Sequence, residues 1–216
     1  MSHETEPIVS DEEKEILQEI MNIAFGNATA DLAEVIDIYV VLSVPNIEIL
    51  GVGAIPNFIE KSVKVYSEID VVEQKFWGDF NGSGLLVFPN NAGRELINVL
   101  DEGGDVDSFE AKPIDNLEKD ILMEIGNILI GACVGKVAEL LGTIVTYSPP
   151  QVISNDNNNE YSYFIDSFDP NQSAILMKTV FKFKDQDISG LLLLLTNQES
   201  IEWLKQALNA FMESYE

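Results

Sequence analysis

The chain has 216 residues, of which 46% are apolar, and a formal net charge of −25. The length allows one large domain or two small ones with a substantial core; the charge argues against nucleic acid, whose phosphates would repel it, and against anionic membrane surfaces. A lone cysteine, Cys133, excludes an internal disulfide framework. With no leading basic-then-apolar signal segment, and no apolar run longer than Leu191–Leu195, the expectation is a cytoplasmic protein that neither binds nucleic acid nor enters a membrane.

Residues 1–10 are polar. Ser10 or Asp11 is placed to cap a helix that runs to about Ile36, and Asp11, Glu12 and Glu13 suit its positive N-terminal end. Beyond Pro45 come strand-like stretches at Ile47–Ile55, Val63–Val72 and Gly84–Phe88, then a helix from about Asn91 to Leu100. Asp101–Pro113, with Gly103-Gly104, several acids and a proline, reads as a linker. The second half predicts a long helix over Asn116–Leu141 and strands at Gln151–Ser154, Tyr161–Phe168, Ala174–Phe183 and Ser189–Leu195, with a polar hairpin tip at Asn155–Glu160. A last helix covers Gln198–Met212.

The two halves carry the same helical pattern. Glu19-Ile20-Met21-Asn22-Ile23-Ala24-Phe25-Gly26 returns as Glu124-Ile125-Gly126-Asn127-Ile128-Leu129-Ile130-Gly131, an offset of 124 − 19 = 105 residues. At that offset Glu13-Lys14 meets Glu118-Lys119, Ala33-Glu34 meets Ala138-Glu139, and Pro45 meets Pro150. Gly84-Leu85-Leu86-Val87-Phe88 resembles Gly190-Leu191-Leu192-Leu193-Leu194, so the repetition extends into the sheet. The period is about half the chain, far above that of a solenoid. The expected fold is therefore one α/β (α+β) domain. Two pseudo-symmetric helix–strands–helix repeats, about 11–100 and 114–212 around the linker 101–113, share a largely antiparallel sheet.

On a helix turning about 100° per residue, Glu15, Glu19, Asn22 and Gly26 share one face, and Asp120, Glu124, Asn127 and Gly131 repeat it. Ile16, Leu17, Ile20, Ile23, Ala24 and Ala28 are assigned to the core face, and Phe25 and Ile130 to the flank of the exposed stripe, where they are expected to help a partner dock. A solvated face accounts for the glutamates. It does not account for a paired asparagine, nor for a glycine that costs roughly 1 kcal/mol in a helix interior.

Other chemistry is thinly supplied. The only histidine, His3, lies in the polar N-terminal stretch, and Arg94 is the only arginine. Cys133 has Glu139 where a cysteine phosphatase would need an arginine, and it replaces Ala28 of the first copy, which suits a small buried residue. Asp105-Val106-Asp107-Ser108 loosely resembles a two-aspartate phosphatase motif but has no hydrophobic strand before it. No Cys/His cluster suggests a metal site, and Gly51-x-Gly53 and Gly82-x-Gly84 lack a phosphate-loop context. A carboxamide that donates and accepts at once can still hold a water in line with a phosphorus atom, and a glutamate can pair with a partner's lysine.

Glu-x-x-Asn-x-x-x-Gly near the start of a long helix, present twice, resembles the CheC-type phosphatases of chemotaxis (the CheC/CheX/FliY family) over about Asp11–Met212. The resemblance implies hydrolysis of the phospho-aspartate of a CheY-like response regulator. It makes Glu19 and Glu124 the residues that meet the receiver's lysine, and Asn22 and Asn127 those that orient the hydrolytic water. It implies no cofactor of the chain's own, Mg²⁺ being held by the receiver, and a CheD-type receptor deamidase as a second partner. Family members often carry Asp or Ser four residues before the glutamate; Asp120 fits this and Glu15 departs from it. The rival reading is a non-catalytic adaptor for a receiver, a CheD-type deamidase or a flagellar switch protein.

Overall fold

The computed structural model describes residues 10–36, 39–63, 69–89, 91–101, 114–154, 173–183, 188–196 and 198–213. Helix α1 (Asp11–Ile36) begins at a reciprocal cap. The Ser10 amide donates to the Glu13 carboxylate (2.7 Å), and the Glu13 amide donates to the Ser10 hydroxyl (3.1 Å). Each bond satisfies an amide that a helix start leaves unpaired.

After α1 come β1 (Val40–Leu42), β2 (Asn46–Gly51), a 3-10 turn at Val52–Ala54, α2 (Ile55–Val63), β3 (Ile69–Gly78), β4 (Gly82–Pro89) and α3 (Ala92–Asp101). The second half holds α4 (Ile114–Leu140), β5 (Val145–Tyr147), β6 (Gln151–Ser154), β7 (Ser173–Phe183), β8 (Ser189–Thr196) and α5 (Gln198–Glu213).

The strands form one antiparallel sheet in the order β1-β7-β8-β4-β3-β5, with β2 also along β7 and β6 also along β3. The halves interlock. β4 pairs with β8 at the centre, and the short strands of each half pair with the long strand of the other. The order is unchanged when β1–β4 are exchanged for β5–β8.

One sheet face carries Val72, Phe76, Leu86, Phe88, Phe181 and Leu192 into a core shared with Leu17, Ile20 and Met21 of α1 and Leu122, Ile125 and Leu129 of α4. Leu96 of α3 and Leu204 of α5 join the same core. The opposite face packs Val71, Leu85, Leu176 and Leu193 against Val52, Ile55 and Phe58. Each such side chain removed from water contributes about 1.5–3 kcal/mol. By length and composition α4 is apolar enough over Asn116–Leu140 to cross a membrane, but it packs against α1, α3, β3 and β4 as a core helix.

The observed elements depart from the sequence reading between Ile47 and Val72. The strand expected over Ile47–Ile55 stops at Gly51, and the chain turns into α2, whose Ile55 and Phe58 recur at helical spacing against the second core. The strand expected at Val63–Val72 is instead β3, displaced to Ile69–Gly78. Val71 enters one core and Val72 the other, so the strand is buried on both faces and shows no clean alternation. The expected strand Tyr161–Phe168, the hairpin tip Asn155–Glu160 and linker residues 102–113 lie outside the described residues.

Candidate functional site

Helices α1 and α4 pack beside each other, each with one face in the core. Glu19, Asn22, Glu124 and Asn127 all lie on the surface. A Cβ added to Gly26 or to Gly131 would meet nothing within 4 Å. Packing inside this chain therefore does not require these glycines; they lower the helix surface one turn beyond each asparagine. The Gly26 carbonyl accepts from the Thr29 hydroxyl at 2.8 Å, and the Gly131 carbonyl accepts from the Tyr147 phenol at 3.2 Å.

Phe25 and Ile130 are not where the stripe reading put them. Phe25 is 3% exposed and Ile130 is 0% exposed, so both are core residues and neither presents a docking surface. Phe25, six residues after Glu19, sits about 120° round the helix from it. Ile23, four residues after Glu19, falls within about 40° of it and is 38% exposed, which corrects its assignment to the core face. Its counterpart Ile128 is half-buried. The apolar residue beside each asparagine is thus the next one in sequence. Counting turns from Glu19 was signal enough to find it.

The carboxylates of Glu19 and Glu124 have no ion-pair partner among the described residues. Ion pairs formed elsewhere include Arg94–Glu118 (3.1 Å), Lys136–Glu139 (3.0 Å) and Lys205–Glu13 (3.5 Å). Two exposed anions with no paired cation among the described residues suit a partner's cation.

The asparagines differ in their surroundings. Asn127 Oδ1 accepts a 2.7 Å hydrogen bond from Nε2 of Gln74 on β3, and the same nitrogen donates to the Ser148 carbonyl at 3.0 Å. Gln74 is almost fully buried. Asn22 has no hydrogen-bond partner among the described residues. Gln74 and Ser148 carry no sequence signal, because only the register of β3 against β5 and α4 brings them to the motif.

Cys133 is fully buried, and burial drives its thiol well above the ordinary range, so it stays protonated and unreactive. Burial, reinforced by Cys133, pushes the Tyr147 phenol up to about 12. Among the described residues no group of three or more His, Cys, Asp or Glu side chains is arranged to hold a metal ion. Asp105–Ser108 lies outside the described residues.

A family model described as the CheC-like family matches residues 117–154, which span the second Glu/Asn motif on α4 and continue through β5 and β6. The CheY-P phosphatase CheC of Bacillus subtilis (strain 168) is 25% identical over 144 residues, 67% of each chain. In fold the chain is similar to Thermotoga maritima FliY, with a TM-score of 0.69, 18% identity, and coverage of 95% of this chain and 100% of that one. It is also similar in fold to the FliM middle domain from H. pylori, with a TM-score of 0.59, 11% identity, and coverage of 92% and 99%. The chain is thus similar to the CheC-like family over a segment that carries the second Glu-x-x-Asn-x-x-x-Gly motif, to a CheC protein across two thirds of its length, and in fold to FliY.

Proposed function

We propose that the protein is a phosphatase that hydrolyses the phospho-aspartate of a CheY-like receiver domain. The observation that carries this is the surface position of a Glu/Asn pair on each of two adjacent helices, with open space over the following glycine. The CheC relative, named for CheY-P, supports the same substrate class.

Glu19 or Glu124 meets a lysine of the docked receiver and fixes its orientation through a charge-assisted hydrogen bond. The carboxamide of Asn22 or Asn127 then holds a water opposite the aspartyl oxygen. The water oxygen forms a bond to phosphorus as the bond from phosphorus to the aspartyl oxygen breaks. The electron pair leaves on the aspartate carboxylate, and the water proton passes to the phosphate released. Mg²⁺, if held by the receiver, would supply charge neutralisation at the phosphoryl oxygens. Positioning of this kind is a main source of catalysis where the transition state is loose.

A CheD-type receptor deamidase stands as a second partner through the family resemblance, and a receiver substrate implies work in the cytoplasm. The test is phosphate release from a labelled phospho-receiver with Mg²⁺ present. Release accelerated by catalytic amounts of the protein supports the phosphatase. Stoichiometric binding without acceleration overturns it in favour of an adaptor.

A further inference from the structure

The two motifs are alike in sequence but not in what lies beneath them. Gly126 lets α4 come close to β3: a Cβ there would stand 2.5 Å from Cγ1 of Val72. The first copy has Met21 at that place, a full side chain buried in the core. The close approach of α4 brings Asn127 within 2.7 Å of Gln74. Gln74 pairs with Gly84 across β3 and β4, whereas Gly190, the counterpart of Gly84, pairs with Phe181 across β7 and β8. Ser148 follows the Tyr147–Phe76 pair, and Val41 follows the equivalent Val40–Phe183 pair. Phe181 thus stands where Gln74 does, and its side chain cannot hydrogen-bond Asn22.

Gln74 is also held at odds with its own burial. Its Oε1 is buried with no hydrogen-bond partner among the described residues, although its Nε2 serves both Asn127 and the Ser148 carbonyl. A buried unpaired carbonyl is destabilising, and an apolar residue such as the Phe181 of the other copy would avoid it. Stability alone does not favour glutamine here.

We propose that Gln74 is a positioning residue for the second site, fixing the Asn127 carboxamide with its Nδ2 and remaining Oδ1 lone pair turned outward to hold the attacking water. Ser148 sets the glutamine through its carbonyl. This rests on the phosphatase reading above. Asn22 has no such tether among the described residues.

The test uses the full chain carrying Asn22→Ala, so that turnover comes from the second site alone, with a labelled phospho-receiver as substrate. Adding Gln74→Leu, which keeps the volume and removes the donor, is expected to lower kcat about 3- to 10-fold with KM nearly unchanged. The loss falls on kcat because an orienting group lost from the water site acts on the chemical step rather than on docking. In the Asn127→Ala background with Asn22 intact, the same substitution is expected to add no further loss, the signature of a residue acting through its partner. An unchanged kcat in the Asn22→Ala/Gln74→Leu protein, or a rise in KM alone, overturns the positioning role. Failure of the wild-type chain to accelerate phosphate release overturns the phosphatase reading itself, so the two failures are distinguishable.

Discussion

Cγ2 of Ile130 sits 2.4 Å from the point that a Cβ on Gly84 would occupy. The contact seats α4 against β4 and gives both residues a structural role. Gly84→Ala is expected to lower stability by about 1–3 kcal/mol, because a β-branched side chain packed in the core has little freedom to yield. Ile130→Ala is expected to cost about 2–5 kcal/mol. Urea unfolding measures both, and a wild-type midpoint for either variant contradicts the packing.

Ile23 and Phe25 exchange the roles that the stripe reading gave them. Ile23→Ser is expected to weaken receiver binding several-fold while leaving the melting temperature nearly unchanged. Phe25→Ser is expected to destabilise the fold by about 3–5 kcal/mol, the range for a lost buried aromatic. Binding titrations beside thermal melts separate the two, and a large fall in melting temperature for Ile23→Ser counts against its exposure.

Much of this fold was legible before any coordinates. α1 follows the predicted span from its cap to Ile36, because Ser10, the acids behind it and the long apolar face all signal a helix. β4, β7 and β8 appear close to their predicted limits. α2 did not, since nine residues offer too few turns for a helical period to stand out from a short apolar run. β1 and β5, with three residues each, are too short to show alternation, and only their pairing with β7 and β3 defines them. At the site, the Glu/Asn stripe was legible from local periodicity. The Gln74–Asn127 bond was not, because 53 residues separate its partners and only the tertiary register joins them.

Tyr147 makes stability sensitive to alkali. Its folded value near 12 lies above the ordinary 10.0, so below pH 10 the phenol is protonated folded and unfolded alike. As pH rises from about 10 to 12 the unfolded chain gives up this proton while the folded chain keeps it, which favours unfolding. Tyr147→Phe also gives up the hydrogen bond to the Gly131 carbonyl. The variant is therefore expected to be less stable at neutral pH and to lose less stability than wild type across that window. Urea midpoints at several alkaline pH values check this; parallel wild-type and variant curves contradict it.

The glutamates are expected to act on docking as well as turnover. Glu19→Ala with Glu124→Ala is expected to raise the Kd for a receiver locked in its phosphorylated form about tenfold or more, through loss of charge-assisted contacts. The effect should shrink as salt rises, since screening weakens the wild-type contact. Calorimetric titration at two ionic strengths measures it, and an unchanged Kd argues against the lysine contact.

The most direct measurement of the central claim is the dephosphorylation rate of a labelled CheY-like receiver with wild type, Asn22→Ala, Asn127→Ala and the double variant. Each motif holds a full Glu/Asn pair on the surface, so each single variant is expected to keep part of the activity. The double variant is expected to fall nearly to the receiver's own rate while still binding it, because the carboxamide positions water rather than the partner. A folded double variant that dephosphorylates the receiver at the wild-type rate would contradict the account.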